Sequence, residues 1–235
     1  MRNIKSVFLL LFLVFSVQID LCQGLMLEYS DSREHLTIQN DQIIIRSEWV
    51  SPSIEPAVTS GSWEHTDMYV AYDELAGRPG HRTTDVFSSS GIVIQRQVWI
   101  STDRKVIAIR NKLSNFRNKV LTLHSMIPLS CNGKEAFQLL GNPDTESWYI
   151  NAQKRRKKEF PETIRPSGDI SIIADPFLAI PVEPDPEGPC LIVGYLDWSK
   201  HLAHLNMSFK KERGKTVFDG LTANCEFDDV VDIFR

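Results

Sequence analysis

Between Ser90 and Cys131 the chain reads SGIVIQRQVWISTDRKVIAIRNKLSNFRNKVLTLHSMIPLSC, and no other stretch restricts the fold more. Three runs rich in β-branched and aliphatic residues, Ile92–Ile100, Val106–Leu113 and Val120–Ile127, are separated by two polar, turn-forming segments, a pattern that predicts a three-stranded β-meander. In the middle run Ile107, Ile109 and Leu113 fall on one face and Ala108, Arg110 and Lys112 on the other, the period of two of a sheet wetted on one side. Asn111 shares the apolar face. A buried amide is costly without matched partners, so its side chain is expected to bond backbone at a neighbouring strand end.

The flanking sequence repeats the texture. Leu36, Ile38 and Gln42–Trp49 surround the turn Gln39-Asn-Asp41 as a hairpin. Pro52, Pro56, Gly61, Pro79 and Gly80 make Ser51–Gly91 irregular and exclude long helices there. Trp63, His65, Asp67, Tyr69, Tyr72 and Asp73 in this segment mix rings with polar groups, as a sugar-facing surface does, although alternate aromatics in a strand also build core. After turns at Asn132–Lys134 and Gly141–Asp144, strands are expected at Ile170–Ala174, Pro176–Ile180, Cys190–Leu196, Leu205–Lys210 and Thr216–Cys225. The last residues, Val230 to Phe234, still read as strand, which predicts an N-terminal piece of a longer protein or else a closing edge strand. No stretch holds helical periodicity, so the fold class is all-β, an antiparallel sandwich of two facing sheets.

The N-terminus differs. Arg2 and Lys5 precede the apolar run Val7–Val17, and Cys22 and Gly24 sit at the −3 and −1 positions of a cleavage site, so residues 1–24 read as a signal peptide and residues 25–235 as the β-sandwich domain. The expected location is secreted or periplasmic, with no stable membrane span after signal cleavage. Cleavage leaves Cys131, Cys190 and Cys225, which allow one disulfide or three free thiols; spacing does not choose. Asn206-Met-Ser208 is a sequon.

A net charge of −4 gives no global attraction to polyanions, and Lys154-Arg-Arg-Lys-Lys158 reads as a solvated loop rather than a nucleic-acid patch. No cysteine or histidine spacing indicates a metal, no glycine loop cradles phosphate, no nucleophile elbow occurs, and no cofactor is expected. Sugar binding needs only an aromatic platform and a few hydroxyl-bonding groups. Rings in turns are harder to assign to a core than rings in strands. The candidate carbohydrate-binding residues are therefore Trp148, Tyr149 and Asn151 in one loop, and Asp197, Trp198 and His201 in another, with Trp198 as a lid on the core the competing role. His124 falls on the face opposite Leu121 and Leu123, at the surface.

Three segments, Leu36–Trp49, Ile107–Asn115 and Val120–Gly133 with Ile127-Pro-Leu129, resemble the N-terminal β-supersandwich, a galactose-mutarotase-like fold, of secreted glycoside hydrolases in the α-galactosidase (melibiase) clan. The resemblance implies a noncatalytic domain that precedes a catalytic TIM barrel carrying the catalytic aspartates. A barrel alone takes about 250 residues, so it has no room within this chain, and no catalytic residue of the family transfers to any position here. Two other functions fit the same texture: a stand-alone exported carbohydrate-binding module, with oligosaccharide as partner, and an envelope interaction protein that adds a strand at Val230–Phe234.

Overall fold

The computed structural model describes residues 5–14, 24–55, 63–153, 161–185, 188–195 and 202–231. Eighteen strands follow one another: β1 (Lys5–Val14), β2 (Met26–Tyr29), β3 (His35–Gln39), β4 (Ile43–Glu48), β5 (Ser53–Glu55), β6 (Glu64–Leu75), β7 (Arg78–Ser89), β8 (Ile92–Ser101), β9 (Val106–Asn115), β10 (Leu121–Asn132), β11 (Phe137–Leu139), β12 (Ile150–Ala152), β13 (Glu162–Ile164), β14 (Ile170–Ala174), β15 (Phe177–Pro181), β16 (Cys190–Tyr195), β17 (Leu202–Glu212) and β18 (Lys215–Val231). One 3₁₀ turn, Thr145–Ser147, is the only helical element among the described residues.

Three antiparallel sheets result. A nine-stranded sheet runs β13-β12-β15-β16-β1-β9-β8-β7-β6, a five-stranded sheet runs β14-β17-β18-β10-β5, and a four-stranded sheet runs β11-β4-β3-β2. The two smaller sheets adjoin at β4 and β10, where the buried Ser47 hydroxyl accepts the Ser130 N–H at 3.1 Å. Inner-face side chains of all three sheets join one continuous apolar cluster, among them Leu36, Ile45, Ile109, Leu123, Val193 and Leu221, all fully buried. This is the expected all-β sandwich, with its second layer assembled from two sheets.

The alternation read in Val106–Leu113 holds. Ile107, Ile109 and Leu113 are sealed, Asn111 is buried with them, and Arg110 and Lys112 are half-exposed on the outer face, but Ala108, expected to be wetted beside them, is buried in a small outer cluster with Val106 and Trp99. Asn111 departs from expectation, since its Oδ1 makes no hydrogen bond and the residue lies opposite Arg96. The meander is also shifted by one strand. It comprises β7, β8 and β9, while β10 crosses to the opposite layer and pairs with β18 and β5. A polar link of five residues between β9 and β10 is long enough to change layers as well as to reverse direction, and the alternation within each strand does not distinguish the two.

The segment expected to be irregular instead carries a long hairpin, β6–β7, with twelve residues in each strand. Ala76 and Gly77 both have positive φ, 52° and 77°, and make the tight two-residue reversal. Pro79 is tolerated because it pairs only with Glu74, and the ladder to β8 begins one residue later at Gly80. Gly80 is itself required, since a Cβ there would lie 2.4 Å from the Ile100 carbonyl oxygen and the Trp99 ring. Val230 and Val231 pair with Thr122 and Leu121 of β10, so this part of the expected edge strand lies within the five-stranded sheet. No disulfide joins Cys131, Cys190 and Cys225 to one another.

Candidate functional site

The corner between β11 and β12 brings together three of the sequence-derived candidates. Asp144 caps the 3₁₀ turn by accepting the Glu146 N–H at 3.3 Å, and the Trp148 N–H closes the turn on the Thr145 carbonyl at 3.2 Å. From there the chain enters β12 with Trp148, Ile150 and Ala152 pointing inward. Trp148 is 1% exposed, and its Nε1–H donates to the Asn142 carbonyl at 2.8 Å. Its ring meets Phe137 and Phe209 edge-on, at centroid distances of 5.8 and 5.9 Å, and Phe218 completes the aromatic group. The turn location argued for an exposed platform; the indole is instead part of the core, because the buried Asn142 gives its polar edge a partner there.

Tyr149 and Asn151 alternate with these residues and face outward, half-buried. The Arg165 guanidinium lies 4.3 Å over the Tyr149 ring and donates to its hydroxyl, while Asn151 Oδ1 accepts the Thr163 hydroxyl at 2.6 Å. Asp197, Trp198 and His201 lie outside the described residues, as does the Lys154–Lys158 run.

Beside this corner is a surface cleft of about 530 Å³, with Lys134, Gln138, Asp144 and Lys215 among the residues around it and Phe137 and Phe218 beneath. Its walls are pinned at Thr216: the backbone N–H bonds Glu146 Oε1 at 2.9 Å, the hydroxyl accepts the Gly168 N–H at 2.8 Å, and the carbonyl accepts the Thr145 hydroxyl. These bonds to Thr216 hold the Glu146 carboxyl below its ordinary range, the backbone bond contributing most. The cleft therefore offers ammonium, amide and carboxylate groups around an apolar floor, a chemistry suited to hydroxyl-rich ligands. Sequence reasoning reached its Trp148 wall but missed the β18 side, because nothing local places Lys215 and Thr216 beside residues seventy positions earlier.

A second polar group lies between the layers. Asp85, Arg96 and Asn111 are register partners across β7, β8 and β9, and all three are buried. Asp85 Oδ1 is 3.0 Å from His65 Nε2 and 3.8 Å from Arg33 Nε. Arg96 Nη1 and Nη2 make no hydrogen bond, and burial lowers the guanidinium's proton affinity, opposed by the nearby Tyr29 and Asp85. Asp85 is the only buried carboxylate among the described residues. The row is therefore not a pair of acids set across a sugar. Only Asn111 of this row was legible in the sequence.

No protein-family model matches the chain, and no curated protein matches it in sequence. Among solved structures it is similar to two GH36 α-galactosidases from Geobacillus stearothermophilus. For AgaA, in complex with 1-deoxygalactonojirimycin, the identity is 12% and the TM-score 0.43, covering 88% of this chain and 30% of that one. For AgaB the identity is 10% and the TM-score 0.44, covering 87% of this chain and 39% of that one. The chain thus spans 30–39% of the length of the structures it matches.

Proposed function

We propose that this chain is the noncatalytic β-sandwich of a secreted, α-galactosidase-like glycoside hydrolase, and that it supports a catalytic barrel outside the sequence. The observation that carries this reading is the edge strand β6. Met68, Val70 and Tyr72, which share one face of β6, are 40%, 60% and 69% exposed on a strand with no partner beyond it in the nine-stranded sheet. Contiguous apolar surface of this kind marks a docking face, and a module acting alone would normally cover it with charge. The three segments behind the family resemblance support the same reading, since as β3–β4, β9 and β10 they contribute to one core from three different sheets.

The test is expression of the chain alone and beside an α-galactosidase barrel added as a separate polypeptide. The expected result is no hydrolysis of an aryl α-galactoside by the chain itself, and complex formation with the barrel that is lost in Val70→Lys/Tyr72→Lys. Hydrolysis by the isolated chain, or a complex indifferent to both lysines, refutes the reading. The cleft beside Trp148 favours a second role in oligosaccharide contact. Glycan titration of Lys215→Ala and Gln138→Ala variants reads it: unchanged affinity in both removes that role.

A further inference from the structure

The nine-stranded sheet has an unexpected occupant at its centre. Lys5–Val14 lies between β9 and β16, antiparallel to both. Eight register pairs join it to β9, from Lys5↔Leu113 to Phe12↔Val106, and six join it to β16, from Leu9↔Tyr195 to Val14↔Cys190. Leu9 is thus opposite Ile109 on one side and Tyr195 on the other, and Leu11 is opposite Ile107 and Val193; all four flanking residues are buried.

We propose that the lane between β9 and β16 is a strand-acceptor site, and that its occupant in the full chain is the chain's own Lys5–Val14. Two strands flanking a third are about 9.5 Å apart. Both run antiparallel to β1, so they are parallel to each other and close the lane only by moving about 4.8 Å and adopting a slanted parallel ladder. Left open, the lane presents two rows of backbone groups without ladder partners in the middle of a layer, and such groups are costly when they also lack water. In sequence, the run KSVFLLLFLV is continuously apolar from Val7 onward rather than alternating, the pattern of a central strand in a covered sheet. β1 also packs against β10 and β18 of the facing layer.

The same residues carry the composition of an export leader, and the fold sets an order between the two roles. The Leu25 N–H donates to the Arg104 carbonyl at 2.9 Å, Leu25 is 2% exposed, and a Cβ on Gly24 would lie 2.6 Å from the Arg104 side chain. Once the sandwich has formed, the Gly24–Leu25 bond is clamped against the β8–β9 turn. A peptidase therefore meets it only before folding, and a chain processed then folds with the lane open.

Hydrogen exchange on the full chain, expressed without export so that residues 1–24 are retained, tests the assignment. The expected result is shared strong protection of amides in 7–13, 107–113 and 191–195. Leu9→Pro, which removes a ladder donor and clashes with a neighbour, is expected to lower protection in all three segments by at least about tenfold while sparing the β3–β4 hairpin. Exchange of residues 7–13 at unprotected rates in the unsubstituted chain overturns the proposal, as does a Leu9→Pro chain with unchanged protection at 107–113 and 191–195. The unsubstituted chain decides the matter alone if the proline variant does not fold.

Discussion

Replacing Trp148 by alanine separates a core role from a sugar platform. The side chain is buried against the Phe137 and Phe209 rings and fixed by one hydrogen bond to the Asn142 carbonyl. Truncating a large buried aromatic costs about 3–5 kcal/mol through lost transfer energy and the cavity left behind. For a domain of this size each kcal/mol lowers Tm by about 2–4 °C, so Trp148→Ala is expected to melt about 6–20 °C below the parent. Its urea midpoint falls by about 1–2.5 M if the slope is about 2–3 kcal/mol/M. Trp148→Phe keeps most of the ring and forfeits the indole bond, worth about 1 kcal/mol, so it falls between the two. Circular dichroism on thermal and urea ramps, read beside a glycan titration, is the assay. A Trp148→Ala protein that melts within about 2 °C of the parent while losing glycan affinity would refute the enclosed geometry.

Three further outcomes follow from the buried polar groups. Replacing Asp85 and Arg96 together, by Leu and Met, is expected to be neutral or to stabilise by about 1–4 kcal/mol, because it removes both enclosed charges at once; Asp85→Ala alone, which strands the Arg96 charge, is expected to cost about 3–5 kcal/mol, and the reverse order in denaturant melts refutes the account. Burial, helped by the Asp85 charge, pushes the Tyr29 hydroxyl up to about 12 from 10.0. The folded state then keeps a proton that the unfolded chain releases, so stability is intact below pH 10 and falls as pH rises toward 12, by about 1.4 kcal/mol at pH 11; Tyr29→Phe should remove that slope, and an identical alkaline profile in the variant argues against it. Burial raises the Cys131 thiol far above its ordinary range and Cys190 less so, which leaves Cys190 as the more accessible of the two; peptide mapping after brief alkylation at pH 8 should find Cys190 modified before Cys131.

What local sequence determines, it determines through side-chain period and turn chemistry. The alternation in Val106–Leu113 sets which residues face the core, and the Asn40 side chain, accepting the N–H groups of Gln42 and Ile43 at 2.9 Å, makes the predicted β3–β4 turn without tertiary help. The strand identities of β14, β15 and β16 were legible for the same reason. The β6–β7 hairpin was not, because Pro79 and Gly80 signal a break, and the place of Pro79 just outside the β7–β8 ladder, which begins at Gly80, is known only once the partner strand is placed.

Which strands become neighbours is a different kind of fact. Alternation is the same whether β10 pairs with β9 or crosses to β18, and the choice rests on which apolar faces seal each other across the layers. A ring in a turn has no fixed fate, and Trp148 is buried because Phe137, Phe209 and the Asn142 carbonyl converge on it from three places in the chain. The apolar N-terminal run is the clearest case. Its composition suits an export leader and a doubly covered strand equally, since both need only unbroken hydrophobicity, and only the lane between β9 and β16 adds the second meaning. Sequence set the period, the faces and most of the strands; assembly of the layers decided the order of those strands, and with it which polar groups were shut inside.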